Sequence, residues 1–196
     1  QAINILLDGL KRLEYRGYDS AGIALHENGA ILVQRSKGRI SLLEEKLVDK
    51  KFSATMGISH TRWATHGEPS EKNAHPHYDC SKKIAVVHNG IIDNFIHLRR
   101  KLETEGHVFS SDTDTEVLSH LIEKFYNENL SEAVRQALKQ VRGTYGLAVL
   151  AADQPNVIIA ARRGSPLVVG IGDGEYFLSS DVSALLPFTR KVIYPD

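Results

Sequence analysis

The 196-residue sequence carries one cysteine (Cys80), one methionine (Met56) and one tryptophan (Trp63). A single cysteine excludes an internal disulfide and fits a reducing, cytoplasmic setting. Neither charge sign is in excess, with 24 basic residues against 24 acidic ones. That balance leaves no electrostatic footprint for nucleic acid or an anionic membrane surface, so neither is expected as a partner. No apolar run is long enough to span a bilayer, and no signal peptide is visible. Internal repeats, low-complexity segments and long linkers are missing, so one domain over residues 1–196 is expected. There is no initiator methionine, and the helical apolar face of Ile3, Leu6, Leu7, Leu10 and Leu13 opens without a cap residue. The sequence reads as starting inside a domain.

What is present is concentrated in Ser59–Gly67. The run Ala54–Ile58 reads as a strand entering a core, and the chain then places Arg62, Trp63, His60 and His66 close together before Gly67. A strand end carrying a cation, an indole and imidazoles into a turn suits a pocket wall. The competing reading is an amphipathic strand with Trp63 in the core and Arg62 in water.

Around that stretch, periodicity predicts a helix to about Tyr15, then a Gly-punctuated loop over Tyr15–Gly22 and the strand Ile23–Leu25. Asn28-Gly29 predicts a hairpin into Ala30–Val33. Ser41 and Glu44 have capping-box spacing for a short helix. Ile84–Val87 reads as a buried strand ending in His88-Asn89-Gly90, with a bend there before Ile91-Ile92. Three helices are expected next. Asn94 caps the first, Ser111–Glu116 opens the second and Ser131 caps the third. The remainder reads as strands. Strands, a block of helices, then strands predict packed sheets with helices outside them.

Five segments together resemble one family: Tyr15–Gly22, His60–Gly67, His75-Pro76-His77, His88-Asn89-Gly90 and Thr113–Glu116. The family is the glutaminase (class II glutamine amidotransferase) domain of the glutamine–fructose-6-phosphate aminotransferases. The resemblance covers essentially the whole chain, with the motifs in the family's order. It implies an α+β fold, a four-layer α/β/β/α sandwich of the N-terminal nucleophile hydrolase type. It also implies hydrolysis of the L-glutamine side-chain amide to glutamate and ammonia. In the whole enzyme that ammonia serves conversion of fructose 6-phosphate to glucosamine 6-phosphate, on isomerase domains of the same chain. A homo-oligomeric full enzyme is implied, with no cofactor and no metal.

The resemblance implies roles residue by residue. Arg62 would bind the glutamine α-carboxylate, since a planar guanidinium can give two parallel charge-assisted hydrogen bonds. Thr65 and His66 would assist on the same carboxylate. Asp114 would take the α-ammonium, although its position also suits service at the start of the following helix. Asn89 and Gly90 would form the oxyanion hole, giving a side-chain amide and a backbone N–H to the developing negative charge. Trp63 would help gate the route to the sugar site, and Arg16 would order loops around the pocket.

The family's nucleophile is a cysteine at the mature N-terminus, whose α-amino group acts as base near neutral pH. Matching the helix Ile3–Leu13 to the family places that cysteine roughly ten residues upstream of Gln1. Cys80 lies in a polar loop with His75 and His77 nearby in sequence, which makes it a weak substitute. Two other readings compete. One is a non-catalytic glutamine-binding domain. The other is a zinc hydrolase using some of the five histidines between His60 and His88, whose spacing matches no standard ligand set. Gly164-Ser165-Pro166 carries no nucleophile-elbow pattern and reads as structural.

Overall fold

In the strand β5 (Ile84–Ile92) successive side chains enter two different cores. The structure, a computed structural model, describes residues 1–195. Ile84, Val86 and Ile92 face one way, into a core shared with α3 (Phe95–Thr104), α4 (Glu116–Phe125) and α5 (Leu130–Gln140). Ala85 and Val87 face the other way, against Ala24 and Ile58 of a second sheet. The strand β6 (Gly143–Ala151) repeats the pattern, with Leu147 and Val149 toward the helices and Ala148 and Leu150 toward the sheet. Period-two alternation with both faces apolar forces a layer on each side.

The second sheet has the order β2-β1-β3, from β1 (Ser20–Glu27), β2 (Ala30–Lys37) and β3 (Gly57–Arg62). Its outer face, with Ala21, Ile23 and Leu25, packs on α1 (Ala2–Leu13) and α2 (Ile40–Glu45). The first sheet has the order β4-β5-β6-β7, completed by β4 (His77–Tyr78) and β7 (Ile159–Arg163). Helices, sheet, sheet and helices therefore stack as the expected α/β/β/α sandwich. A smaller antiparallel sheet, β10-β8-β9, follows from β8 (Val168–Ile171), β9 (Tyr176–Ser179) and β10 (Val192–Ile193). The β1–β2 hairpin turns at Asn28 and Gly29, both at positive φ (50° and 77°), as an Asn-Gly turn requires.

Some local expectations are corrected. Ser41 caps nothing: α2 starts at Ile40, whose N–H is taken by Glu14 Oε1 at 3.1 Å. Asn94 stands at the start of α3 without capping it, because its amide bridges Gln140 O and the Arg142 N–H, each at 2.9 Å. The cap of α5 is Asn129, not Ser131; its Oδ1 accepts the Glu132 N–H at 3.0 Å. For Asn94 the cause is tertiary, since partners distant in sequence outcompete the local cap, whereas at α5 the cap is simply taken by the nearer Asn129. β5 also runs unbroken through Asn89-Gly90, since its pairing to β6 continues to Ile92. No helix among the described residues is long and apolar enough to cross a membrane.

Candidate active site

Ile58, His60 and Arg62 share one face of β3, by the same period-two rule, and point between the sheets. Parity therefore buries Arg62, at 4% exposure, and leaves Trp63 past the strand end at 65%. This reverses the reading that put the indole in the core and the cation in water. Arg62 Nη2 donates to the carbonyls of His66 and of Gly67, the latter at 3.0 Å. Those bonds curl Arg62–Gly67 into a turn. Nη1 is buried without a hydrogen bond among the described residues, 3.9 Å from Asp19 Oδ1. Burial lowers the Arg62 pKa, and the charges of Asp19 and Asp114 offset part of that.

Arg62 opens on a cavity of about 1020 Å³ that extends from β3 to β9 between the sheets. Arg16, Trp63, Thr65, Asn89, Gly90 and Asp114 line the same cavity. His66 does not. It stands behind Asp114, with Nδ1 3.8 Å from Asp114 Oδ1 and its ring edge-on to Phe95. Asp114 is buried, and its Oδ2 accepts the Ile92 N–H at 2.8 Å, which fixes the carboxylate against β5. It does not cap α4. Glu116 organises that helix entrance instead, accepting from the N–H and hydroxyl groups of Ser110 and Ser111 at 2.6–2.8 Å. Burial alone would raise the Glu116 pKa, but the neighbouring His120 imidazole and the hydrogen bonds from the two serines hold it below the ordinary carboxylate range.

Gly90 has φ = 145°, and a Cβ there would meet Thr144 O at 2.2 Å. Only glycine lets β5 pass that close to β6 at the cavity wall. Arg16 Nη1 donates to Ser180 Oγ at 3.2 Å and lies 3.6 Å from Asp181, which also accepts from Tyr15 OH at 3.0 Å. Arg16 thus ties the first loop to the segment after β9. Gly17 packs directly on the Arg62–Trp63 peptide, so the Tyr15–Gly22 and Arg62–Gly67 motifs touch.

Sequence reading missed a buried histidine array, of which His60, His75 and His88 line the cavity. His60 stacks on His75 at 4.3 Å, and His75 meets His77 edge-on at 4.9 Å. His75 Nδ1 accepts the His88 N–H at 3.3 Å. His88 Nε2 lies 3.1 Å from Thr144 O, which can only accept, so Nε2 carries the proton and Nδ1 accepts from Thr115 Oγ1 at 2.8 Å. Burial, then the neighbouring charges of His88 and Arg62, lower His60 to about 3. Burial is also the largest cause lowering His75, His77 and His88. These rings are neutral wedges that shape the wall. His88 spends both ring nitrogens on protein partners and so is not available as a metal ligand. Asp19 was missed too: its carboxylate accepts from Ala64 N and from Ser20 Oγ, bracing the turn that holds Arg62. Cys80 is not at this cavity; it lies in the β4–β5 turn beside His107 and His120.

Comparison with known proteins decides the family. The sequence model of the glutamine amidotransferase domain matches residues 60–187. The chain belongs to the glutamine amidotransferase domain family. Among glutamine amidotransferase relatives, the glutamine–fructose-6-phosphate aminotransferase of Caldanaerobacter subterraneus subsp. tengcongensis is 54% identical over 197 residues, covering 100% of this chain and 32% of the relative. The corresponding protein of Aquifex aeolicus is 51% identical over 195 residues, covering 100% of this chain and 33% of its own length. The chain thus spans about a third of the curated relatives it matches. In three dimensions it resembles the glutamine phosphoribosylpyrophosphate amidotransferase of B. subtilis, with a TM-score of 0.82 and 26% identity over 98% of this chain and 42% of that one. The sandwich is therefore that of the N-terminal nucleophile hydrolase glutamine amidotransferases.

Proposed function

We propose that this site binds L-glutamine and hydrolyses its side-chain amide to glutamate and ammonia. One observation carries the reading: Arg62 and Asp114, opposite charges and both buried, open on the cavity that Asn89 and Gly90 also line. An α-amino acid needs a cation for its carboxylate and an anion for its ammonium. Arg62 Nη1, buried without a hydrogen bond among the described residues, is the donor for the carboxylate. Asp114 Oδ1 is the acceptor for the ammonium, because Oδ2 is committed to Ile92. Thr65 lies beside Arg62 and adds a hydroxyl to the carboxylate end, while His66 positions Asp114.

Attack on the amide carbon places negative charge on its oxygen. Asn89 lies at the cavity and offers its side-chain NH₂. Gly90 sits between His88 and Ile92, whose N–H groups leave β5 on the side away from β6, toward His75 and Asp114. Strand alternation sends the Gly90 N–H to that same edge, where it joins Asn89 as a second donor. The attacking group in this mechanism is an N-terminal cysteine thiol ahead of Gln1, its proton taken by its own α-amine. The thiol adds to the carbonyl, ammonia leaves with that proton, and water releases glutamate from the thioester. Trp63 and Arg16 then act at the cavity mouth, as gate and loop tie. In the whole protein, we take the ammonia to pass to linked isomerase domains that make glucosamine 6-phosphate from fructose 6-phosphate, in a cytoplasmic homo-oligomer.

The test is glutamate release from L-glutamine by the full-length protein. Steady turnover that falls on the order of a hundredfold or more in Asn89→Ala supports the mechanism. Saturable glutamine binding without glutamate release would overturn hydrolysis and leave a non-catalytic binding domain.

A further inference from the structure

Away from the cavity, four side chains from three separate segments converge. Cys80 comes from the β4–β5 turn, His107 from the loop after α3, and His120 and Glu123 from one face of α4. One donor atom from each lies within 4.8 Å of every other. Cys80 Sγ is 3.7 Å from His107 Nδ1 and 3.5 Å from His120 Nδ1. Glu123 Oε2 is 2.9 Å from His107 Nδ1 and 3.4 Å from His120 Nδ1.

We propose that Cys80, His107, His120 and Glu123 form a structural zinc site that nails the α3–α4 loop and the β4–β5 turn to α4. A tetrahedral zinc with Zn–S near 2.3 Å and Zn–N or Zn–O near 2.0–2.1 Å has edges of about 3.6 Å from sulfur to nitrogen and about 3.3 Å from nitrogen to oxygen. Three of these four separations match these edges to within about 0.2 Å, and the 2.9 Å contact opens by a few tenths as the metal replaces a hydrogen bond. A thiolate, two imidazoles and a carboxylate suit zinc rather than magnesium or calcium. The thiolate and carboxylate also balance the charge of a divalent ion.

Hydrogen bonding alone does not account for the convergence. Both Nδ1 atoms and the Cys80 N–H crowd one oxygen, Glu123 Oε2. The surroundings fit a metal. The Val108 N–H donates to Cys80 Sγ at 3.4 Å, a contact that steadies a thiolate. His120 Nε2 is buried without a hydrogen bond among the described residues and lies 3.6 Å from Glu116 Oε1. With Nδ1 on the metal, Nε2 carries the proton and faces that carboxylate, which orients the ring. Four protein ligands leave no open position, so the site is structural, and Cys80 at the surface gives the ion its way in.

The test is metal content of the protein purified without chelator, followed by replacement with cobalt. The expected result is one zinc per chain surviving dialysis, and a cobalt form with thiolate charge-transfer absorption in the near ultraviolet and strong tetrahedral bands in the visible. Cys80→Ser abolishes the charge-transfer band, and Glu116→Gln weakens zinc binding by about 10–100-fold. His97→Gln, on the exposed side of α3, leaves both unchanged. A chelator lowers the melting temperature of the wild type but not of Cys80→Ser. No stoichiometric zinc together with an octahedral cobalt spectrum would overturn the proposal, as would a charge-transfer band that survives in Cys80→Ser.

Discussion

Asp114 accepts the Ile92 N–H at 2.8 Å through Oδ2, while Oδ1 stands 3.8 Å from His66 Nδ1, at the cavity that Arg62 lines. The two oxygens have separable duties. Asparagine retains an acceptor for Ile92 but loses the charge that would pair with an ammonium. Asp114→Asn should therefore raise KM for glutamine, lowering kcat/KM on the order of a hundredfold or more, with a small change in melting temperature. Asp114→Ala should lose the same affinity and also melt earlier, because Ile92 N–H is left without its partner. Steady-state kinetics and thermal melts on both variants check the split.

Arg62 is not replaceable by lysine. Its Nη2 holds the His66 and Gly67 carbonyls while Nη1 makes no hydrogen bond among the described residues, and an ammonium cannot do both from one point. Arg62→Lys should cost about 1.5–3 kcal/mol in kcat/KM, seen mainly as a higher KM. It should also speed proteolytic cleavage within 62–67.

At the proposed oxyanion hole the two donors fail differently. Asn89→Ala removes a side chain that only the reacting oxygen needs, so kcat should fall about 10²–10³-fold with KM little changed. Gly90→Ala places a Cβ 2.2 Å from Thr144 O, so it should destabilise the fold itself. Circular dichroism melts alongside kinetics distinguish the two outcomes.

The histidine array predicts acid lability. His60, His75 and His77 have folded pKa values below the ordinary imidazole range, so between those values and about pH 6.5 the unfolded chain binds more protons. Stability is complete above about pH 6.5 and falls as pH drops, by about 1.4 kcal/mol per pH unit for each such histidine. Glu116 adds a further loss below the ordinary carboxylate range, as its lowered pKa is approached. Urea midpoints from pH 7.5 to 4.5 (chosen to bracket about 6.5) should decline from near pH 6.5, and less steeply in His75→Gln. A flat profile to pH 5 would contradict the neutral array.

The layers were legible because β1, β5 and β6 are apolar on both faces or nearly so, and the helices carry plain 3.6-residue stripes. Arg16, Arg62, Trp63, Thr65, Asn89, Gly90 and Asp114, which line the cavity, were named through the resemblance, but His66 stands outside it, and parity with Ile58 could have buried Arg62 from sequence alone. The caps were not legible. Asn94 and Ser41 sit at the expected spacing, but Gln140, Arg142 and Glu14 are contacts brought in by tertiary structure. His66–Asp114 and His88–Thr115 were hidden for the same reason, each joining segments far apart in sequence. No secondary structure fits the polar run Glu68–His77 by its pattern, yet Ala74, His75 and His77 are buried. Neutral imidazoles stacked on one another explain how so polar a segment enters a core, and a hydropathy pattern cannot show stacking.

The central claim is that one amino acid lies between Arg62 and Asp114 with its side-chain carbonyl at Asn89 and Gly90. A crystal structure of the full-length protein with L-glutamate bound tests it most directly. The expected result is the α-carboxylate on Arg62 Nη1, the ammonium on Asp114 Oδ1 and the γ-carboxyl within hydrogen-bond distance of the Asn89 amide. Glutamate bound in the reverse orientation, or outside this cavity, would contradict it.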